Sequence, residues 1–343
     1  YRKERRRVKR VEKKLFGKTG RKNGRKNQEM KIGKISPTIW NRSVKKKVHI
    51  GQTDDGVFRA DTVVCGDHAG LGYYAVLGAV GELASHKVTA KGVSVNILFP
   101  EKMEEAALAA LCEEIQKGCE DVGVILTALS AEGTAVVKSP VIYASAGGKA
   151  EEITDKREER SYGDRELVLC GYAGLEGSLR ILEEAEEELS LRFVNTFLAQ
   201  AKQLRNRLVV PKQILAAADG SNTVIRQIGS GGILAELWRL AEDEKIGFEI
   251  AMGAVLLKQE TVEICEYYRL NPYQMTSAGS YLILTDEAER VIEVLEKAGA
   301  RAVRLGVAKA QNARVITSRD EIRYLDRPAP DELARWQKEK QAG

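Results

Sequence analysis

Between Val88 and Cys119 the spacing of apolar residues changes period. From Val88 to Leu98 the residues alternate, with Val93, Val95 and Ile97 on one face and Ser94 and Asn96 on the other, the pattern of a half-buried strand. From Met103 the interval becomes four: Met103, Ala107, Leu111, Ile115 and Cys119 recur along one stripe, widened by Leu108 and Cys112, as in an amphipathic helix. A strand with one apolar face and a helix with one apolar stripe each need a cover, and neighbours in sequence supply it to each other. The chain is thereby committed to α/β or α+β layering.

The same alternation runs along the rest of the chain. Val57 to Asp67 reads as a strand, Leu71 to Ser85 as a helix of small residues with apolar Tyr74, Leu77, Val80 and Leu83, and Val122 to Ala128 and Thr134 to Ala146 as strands. Residues 148–165 are polar and dense in both charges with no apolar period, so a linker is expected there. Beyond it the reading predicts a strand at Glu166 to Cys170, an acidic helix from Glu176 to Leu189 and a helix from Leu191 to Arg205. Strands are predicted at Ile214 to Ala218 and Asn222 to Ile228. Gly229, Ser230, Gly231 and Gly232 then lead into a helix whose apolar face is Ile233, Leu234, Leu237, Trp238 and Ala241. A final strand, helix and strand follow: Ser280 to Leu284, a helix capped by Thr285 and stopped at Gly299, and Ala302 to Val307.

Charge divides unevenly. The net charge of +5 conceals a segment, residues 1–29, with 14 Lys and Arg against 3 Asp and Glu, which leaves 40 basic and 46 acidic residues in the remainder. Such a segment reads either as a basic arm for nucleic acid or anionic lipid, or as sequence outside the natural protein or disordered. The second reading is favoured because the first methionine, Met30, directly precedes a patterned segment. Nucleic acid is therefore not the expected partner. No run approaches the roughly 18 apolar residues that cross a bilayer, so a membrane is not expected either and a cytoplasmic setting is. The five cysteines are scattered and lack metal-knuckle spacing, and the three histidines form no HxxxH pair, which argues against a zinc or iron centre.

Two glycine-rich turns could carry chemistry. Gly229 to Gly232 opens a helix, where glycines let backbone N–H groups approach a phosphate; the alternative is a tight turn that needs positive φ. Gly171 to Ser178 allows the same two readings. Carboxylates available for magnesium are Asp54, Asp55, Asp67 and Glu82. Glu183, Glu184, Glu186, Glu187 and Glu188 run around a helix and read as solvated surface. No Ser, His and Asp or Cys and His arrangement stands out as a nucleophilic set.

Gly174-Leu175-Glu176-Gly177-Ser178, the segment from Gly231 to Glu242, Gln259 to Glu266, Leu270-Asn271-Pro272-Tyr273-Gln274 and Ser277-Ala278-Gly279-Ser280 together resemble the aminoimidazole ribonucleotide (AIR) synthase related proteins, relatives of the hydrogenase maturation carbamoyl dehydratase. Met30 to Ile35 is similar to that family's N-terminus. The resemblance implies a two-domain PurM-like fold: an N-terminal domain (30–147) giving strands to a dimer barrel, a C-terminal α/β sandwich domain (166–327) and a tail (328–343). It implies a homodimer, ATP and magnesium, a maturation partner protein, and phosphorylation of an amide or carbamoyl oxygen. Its nucleotide and phosphate contacts fall on Asp67, Gly177, Arg226, Ser230, Gly231 and Gly232, and its metal contacts on Asp67 and Glu82. The departures point to a catalytically degenerate member. Gly81-Glu82-Leu83-Ala84 stands for Asn-Asp-Ile-Ala, Leu126-Thr127-Ala128-Leu129 for a glycine-rich turn with a ligand, and Arg226-Gln227-Ile228-Gly229-Ser230-Gly231-Gly232 for His-Asp-Val-Thr-Glu-Gly-Gly. The alternative is an active ATP-dependent enzyme.

Overall fold

The computed structural model describes residues 37–48, 56–149, 165–218, 223–319 and 321–342, all within one compact unit, Ile32–Gly343. The basic segment 1–29, Asp54 and Asp55, and most of the expected linker lie outside the described residues. The chain runs α1 (Pro37–Ser43), β1 (Val57–Cys65), α2 (Leu71–Ser85), β2 (Gly92–Pro100), α3 (Glu105–Val122), β3 (Ile125–Thr134) and β4 (Val141–Lys149). There follow β5 (Glu166–Cys170), α4 (Leu175–Glu184), α5 (Glu186–Ser190), α6 (Asn195–Gln203), α7 (Pro211–Ala217), β6 (Val224–Gln227), α8 (Gly232–Glu244) and β7 (Gly247–Ala251). The last elements are α9 (Gln259–Tyr267), β8 (Tyr281–Thr285), α10 (Ala288–Lys297), β9 (Ala302–Lys309), β10 (Arg314–Ser318), β11 (Glu321–Tyr324) and α11 (Glu332–Lys340).

Two sheets result. The first has order β1-β4-β2-β3, antiparallel except for the parallel β2–β3 pair, whose register shifts between Val93 and Ser94. Its inner face, Ala60, Val64, Val93, Val95, Ile97, Ile142, Ala144 and Ala146, packs on α2 and α3, as the change of period predicts. Its outer face, with Val63, Leu98, Ile125 and Tyr143, is left exposed by the described residues. The second sheet has order β11-β10-β7-β9-β5-β8-β6. β5 is buried on both sides: Leu167 and Leu169 meet Ile233 and Leu237 of α8, while Val168 and Cys170 meet the cluster of Ile214 and Val291 from α7 and α10.

Helix α2 lies between the layers, and of its fifteen residues all but Glu82 are buried. A helix that is apolar all round belongs in an interior, and small residues let neighbours approach closely. At Gly81 a Cβ would sit 2.0 Å from Gln227 Oε1 and 2.6 Å from the Tyr281 hydroxyl, so these side chains of the second layer approach the helix closely there.

Three expectations need correction. Ile214 to Ala218 is not a strand but belongs to helix α7 and the residue after it. Pro211 presets the first turn, the Gln213 side chain accepts the Val210 N–H at 3.0 Å, and Ile214 and Ala217 are buried at helical spacing. Thr285 does not cap α10 directly: its hydroxyl accepts the Glu287 N–H, and the helix begins at Ala288. The C-terminal stretch expected as a tail carries α11, whose Leu333 and Trp336 are buried. Among the described residues no helix is long and apolar enough to cross a membrane.

Candidate functional site

The two layers meet at the end of β1 and the start of α2, and polar groups from distant segments converge on that seam. The Tyr74 hydroxyl donates to Glu183 Oε1 at 2.8 Å, and His68 Nδ1 lies 2.9 Å from Glu183 Oε2. His68 is 2% exposed in its side chain, and its Nε2 has no hydrogen-bond partner among the described residues. Beside it, Glu184 Oε2 accepts the Asp67 N–H at 3.2 Å. Glu183 and Glu184 are therefore not solvated surface: they leave the acidic run to join the layers. Burial alone would raise the Glu183 carboxyl, but the His68 bond and charge, the Tyr74 hydroxyl and the Arg205 charge outweigh it and leave it below the ordinary carboxylate range. Arg205 stacks 3.8 Å above the Tyr73 ring and pairs with Glu114 of α3.

One helix turn away, α4 carries a buried ion pair. Arg180 Nη1 donates to Glu176 Oε1 at 2.8 Å, and its Nη2 donates to the Cys65 carbonyl at 2.8 Å, linking α4 to the end of β1. Glu176 Oε2 also accepts the Ala278 N–H at 3.3 Å.

The glycine turns pack around the Pro272–Thr276 loop. Gly177 donates its N–H to the Thr276 carbonyl, and a Cβ on it would meet Met275 Cγ at 2.3 Å. Gly231 and Gly232 have φ of +88° and +66°, which glycine adopts without strain. A Cβ on Gly232 would lie 2.4 Å from the Tyr273 carbonyl oxygen. The Gly231 N–H, at the start of α8, donates to Asp331 Oδ2 at 2.6 Å, so the turn holds an anion supplied by the chain. Burial raises the Asp331 carboxyl, with the Gly231 N–H opposing. The Ser230 carbonyl accepts Arg239 Nη2 at 3.1 Å.

The candidate residues thus separate into two groups. Gly177 and Gly232 press on the 272–276 loop, Ser230 and Gly231 stand in the turn before α8 on Arg239 and Asp331, and exposed Asp67 donates its N–H to Glu184 at the end of α4. Glu82 lies toward the other end of α2, roughly 16 Å along the helix from its start at 1.5 Å per residue. Among the described residues no three His, Cys, Asp or Glu side chains form a metal-sized group. Arg226 is engaged with Asp243 at 2.7 Å on the α8 side. Its neighbour Gln227 ties β6 to α2, with Nε2 on the Gly78 carbonyl at 2.9 Å and N–H on Ser85 Oγ at 3.0 Å.

Sequence reasoning missed Asp331, the Glu176–Arg180 pair, and Asp61, whose charge acts on the Tyr143 hydroxyl on the open sheet face. Burial, and then Asp61, raises the Tyr143 hydroxyl. Asp331 had a legible signal, since Pro328-Ala329-Pro330-Asp331 before a stretch of good helix formers is an N-cap pattern, and Glu176 four residues before Arg180 is helical ion-pair spacing.

Comparison with known proteins follows the same outline. Residues 164–318 match the AIR synthase related protein, C-terminal domain. Carbamoyl dehydratase HypE of Rhizobium leguminosarum bv. viciae is 20% identical over 274 residues, 77% of this chain and 76% of that protein. Among solved structures, E. coli HypE, a hydrogenase maturation protein, superposes with a TM-score of 0.66 at 17% identity, covering 80% of this chain and 88% of that one. A hydrogenase maturation protein HypE in complex with ATP superposes with a TM-score of 0.63 at 15% identity, covering 85% and 90%.

Proposed function

We propose that this chain, PurM-like and HypE-like in fold with an AIR synthase related C-terminal domain, binds a nucleotide or another phosphate-bearing ligand as a homodimer and has given up metal-dependent turnover. The observation that carries the reading is Gln227. Where the family resemblance calls for an acidic residue, this side chain is buried and spent on holding β6 to α2. Of the remaining metal candidates, Asp67 lies in the turn before α2 and Glu82 in its last turn. Phosphoryl transfer needs charge stabilised at the moving group, and loss of one such stabiliser costs on the order of a hundredfold or more in rate. Binding asks less, since a helix N-terminus with a glycine turn suits an anion without metal.

The homodimer is supported by the open face of the first sheet, where Val63 is 64% and Ile125 71% exposed beside Leu98 and Tyr143. An apolar sheet face of this kind calls for a cover, and a second copy would supply the same face in return. A maturation-type partner protein is the further expectation, and the ATP-bound HypE supports a nucleotide as the ligand.

Calorimetry with ATP, with and without magnesium, together with a phosphate-release assay, tests the reading. The expected outcome is weak binding that is indifferent to magnesium and hydrolysis at background. Magnesium-dependent turnover abolished by Glu82→Gln would overturn it in favour of an active ATP-dependent enzyme.

A further inference from the structure

One carboxylate stands at the start of two helices. Asp331 Oδ2 accepts the Gly231 N–H at the head of α8, while Oδ1 accepts the Leu333 and Ala334 N–H groups of α11 at 2.9 and 3.3 Å. Each helix end carries a partial positive charge that favours an anion there. Asp331 is 4% exposed. Arg180, 5% exposed, spends its two terminal nitrogens on Glu176 and the Cys65 carbonyl, and its buried Nε has no partner among the described residues. A backbone N–H in a glycine turn at the head of a helix is what a phosphate oxygen would find there. Here a side chain from 100 residues further along the sequence occupies it.

The segment that delivers this carboxylate is held in two ways. Leu333 and Trp336 sink into the cluster of Ile181, Leu182, Ile264 and Met275. The ties on its outer side are polar and exposed: Gln337 Nε2 on the Cys65 carbonyl at 2.7 Å, and Lys340 Nζ on the Glu184 carbonyl at 3.0 Å. Exposed polar ties are the weaker kind and open first.

We infer that Asp331 is an internal stand-in for an oxyanion, so that α11 closes the Gly229–Gly232 turn and a phosphate group gains it only when the Asp331 carboxylate withdraws. The inference rests on the phosphate-binding reading above and adds the regulation of that site. Competition of this kind weakens apparent affinity by the fraction of molecules that are open. Removing the competitor restores it.

The test uses the full chain, with inorganic phosphate and ATP titrated into wild type, Asp331→Asn and Gln337→Ala. Asp331→Asn keeps a side-chain oxygen for capping α11 and removes the charge. Gln337→Ala loosens the helix without touching the turn, and guards against misfolding of the first variant. The expected result is phosphate binding about tenfold or more tighter in Asp331→Asn, as for an open fraction of about a tenth or less, with a smaller gain in Gln337→Ala. Saturating phosphate should also speed amide exchange across residues 332–340 of the wild type. If both variants lose melting temperature with no gain in phosphate affinity, Asp331 is a structural cap and the inference falls. If ATP binds the wild type but neither the variants nor the exchange at 332–340 respond, gating falls while nucleotide binding stands. If no chain binds phosphate or ATP at millimolar concentration, both readings fall together.

Discussion

Gly232→Ala separates packing from ligand binding at the glycine turn. At φ +66° a residue with a Cβ pays about 1–2 kcal/mol for the left-handed backbone. The added carbon would stand 2.4 Å from the Tyr273 oxygen, 2.7 Å from the Met275 nitrogen and 2.8 Å from the Gln274 carbonyl carbon, all backbone atoms that no rotamer change can clear. The 272–276 loop must give way, and such overpacking costs about 1–3 kcal/mol. The total expected loss is about 2–5 kcal/mol. Gly253→Ala is the matched control: its Cβ would meet nothing within 4 Å and its φ is not positive, so it should change stability by no more than about 1 kcal/mol, in the favourable direction. Urea unfolding reads both as midpoint shifts at constant slope. A Gly232→Ala chain within about 0.5 kcal/mol of wild type, yet impaired in phosphate binding, would refute the argument and show that the glycine is kept for a ligand.

Two further perturbations address the layers. Tyr74→Phe removes a 2.8 Å bond to a charged, partly buried acceptor, and should destabilise by about 1–2 kcal/mol at neutral pH, since Glu183 keeps His68. Because the folded Glu183 carboxyl lies below its ordinary value, its stabilisation is full above the unfolded pKa and is lost as pH falls through the folded one. The gap between Tyr74→Phe and wild type should therefore narrow on acidification through the carboxylate range, and a gap constant with pH in thermal melts would count against the assignment. Ile125→Glu places a charge on the open face of the first sheet without disturbing the core. Sedimentation equilibrium should show a dimer for wild type and a monomer for the variant, and a wild-type monomer at micromolar concentration would dismiss the dimer.

The strand expected from Val88 to Leu98, found at Gly92–Pro100, and the helix after it were legible because both periods are local: a buried face repeats in the sequence of the segment that makes it. Periodicity failed at Ile214 to Ala218, since a run of five apolar residues satisfies a strand and a helix turn alike, and Pro211 with the Gln213 bond settled it as helix. The separate turns at Gly177 and Gly232 were also visible, but not that both press on the same 272–276 loop.

The amino-acid order by itself determined the layered α/β class, the small-residue helix Leu71 to Ser85 and the glycine turns, because each depends on neighbours within a few residues. Tertiary structure alone decided what those features serve. Glu183 is indistinguishable in sequence from Glu186 to Glu188 in the same acidic run, yet it bonds His68 from 115 positions away while they face solvent. Asp331 likewise meets Gly231 across 100 positions. Bonds between such distant segments leave no period or spacing in the chain; their partners are chosen only when burial brings the two surfaces together and removes the water that would otherwise satisfy both groups.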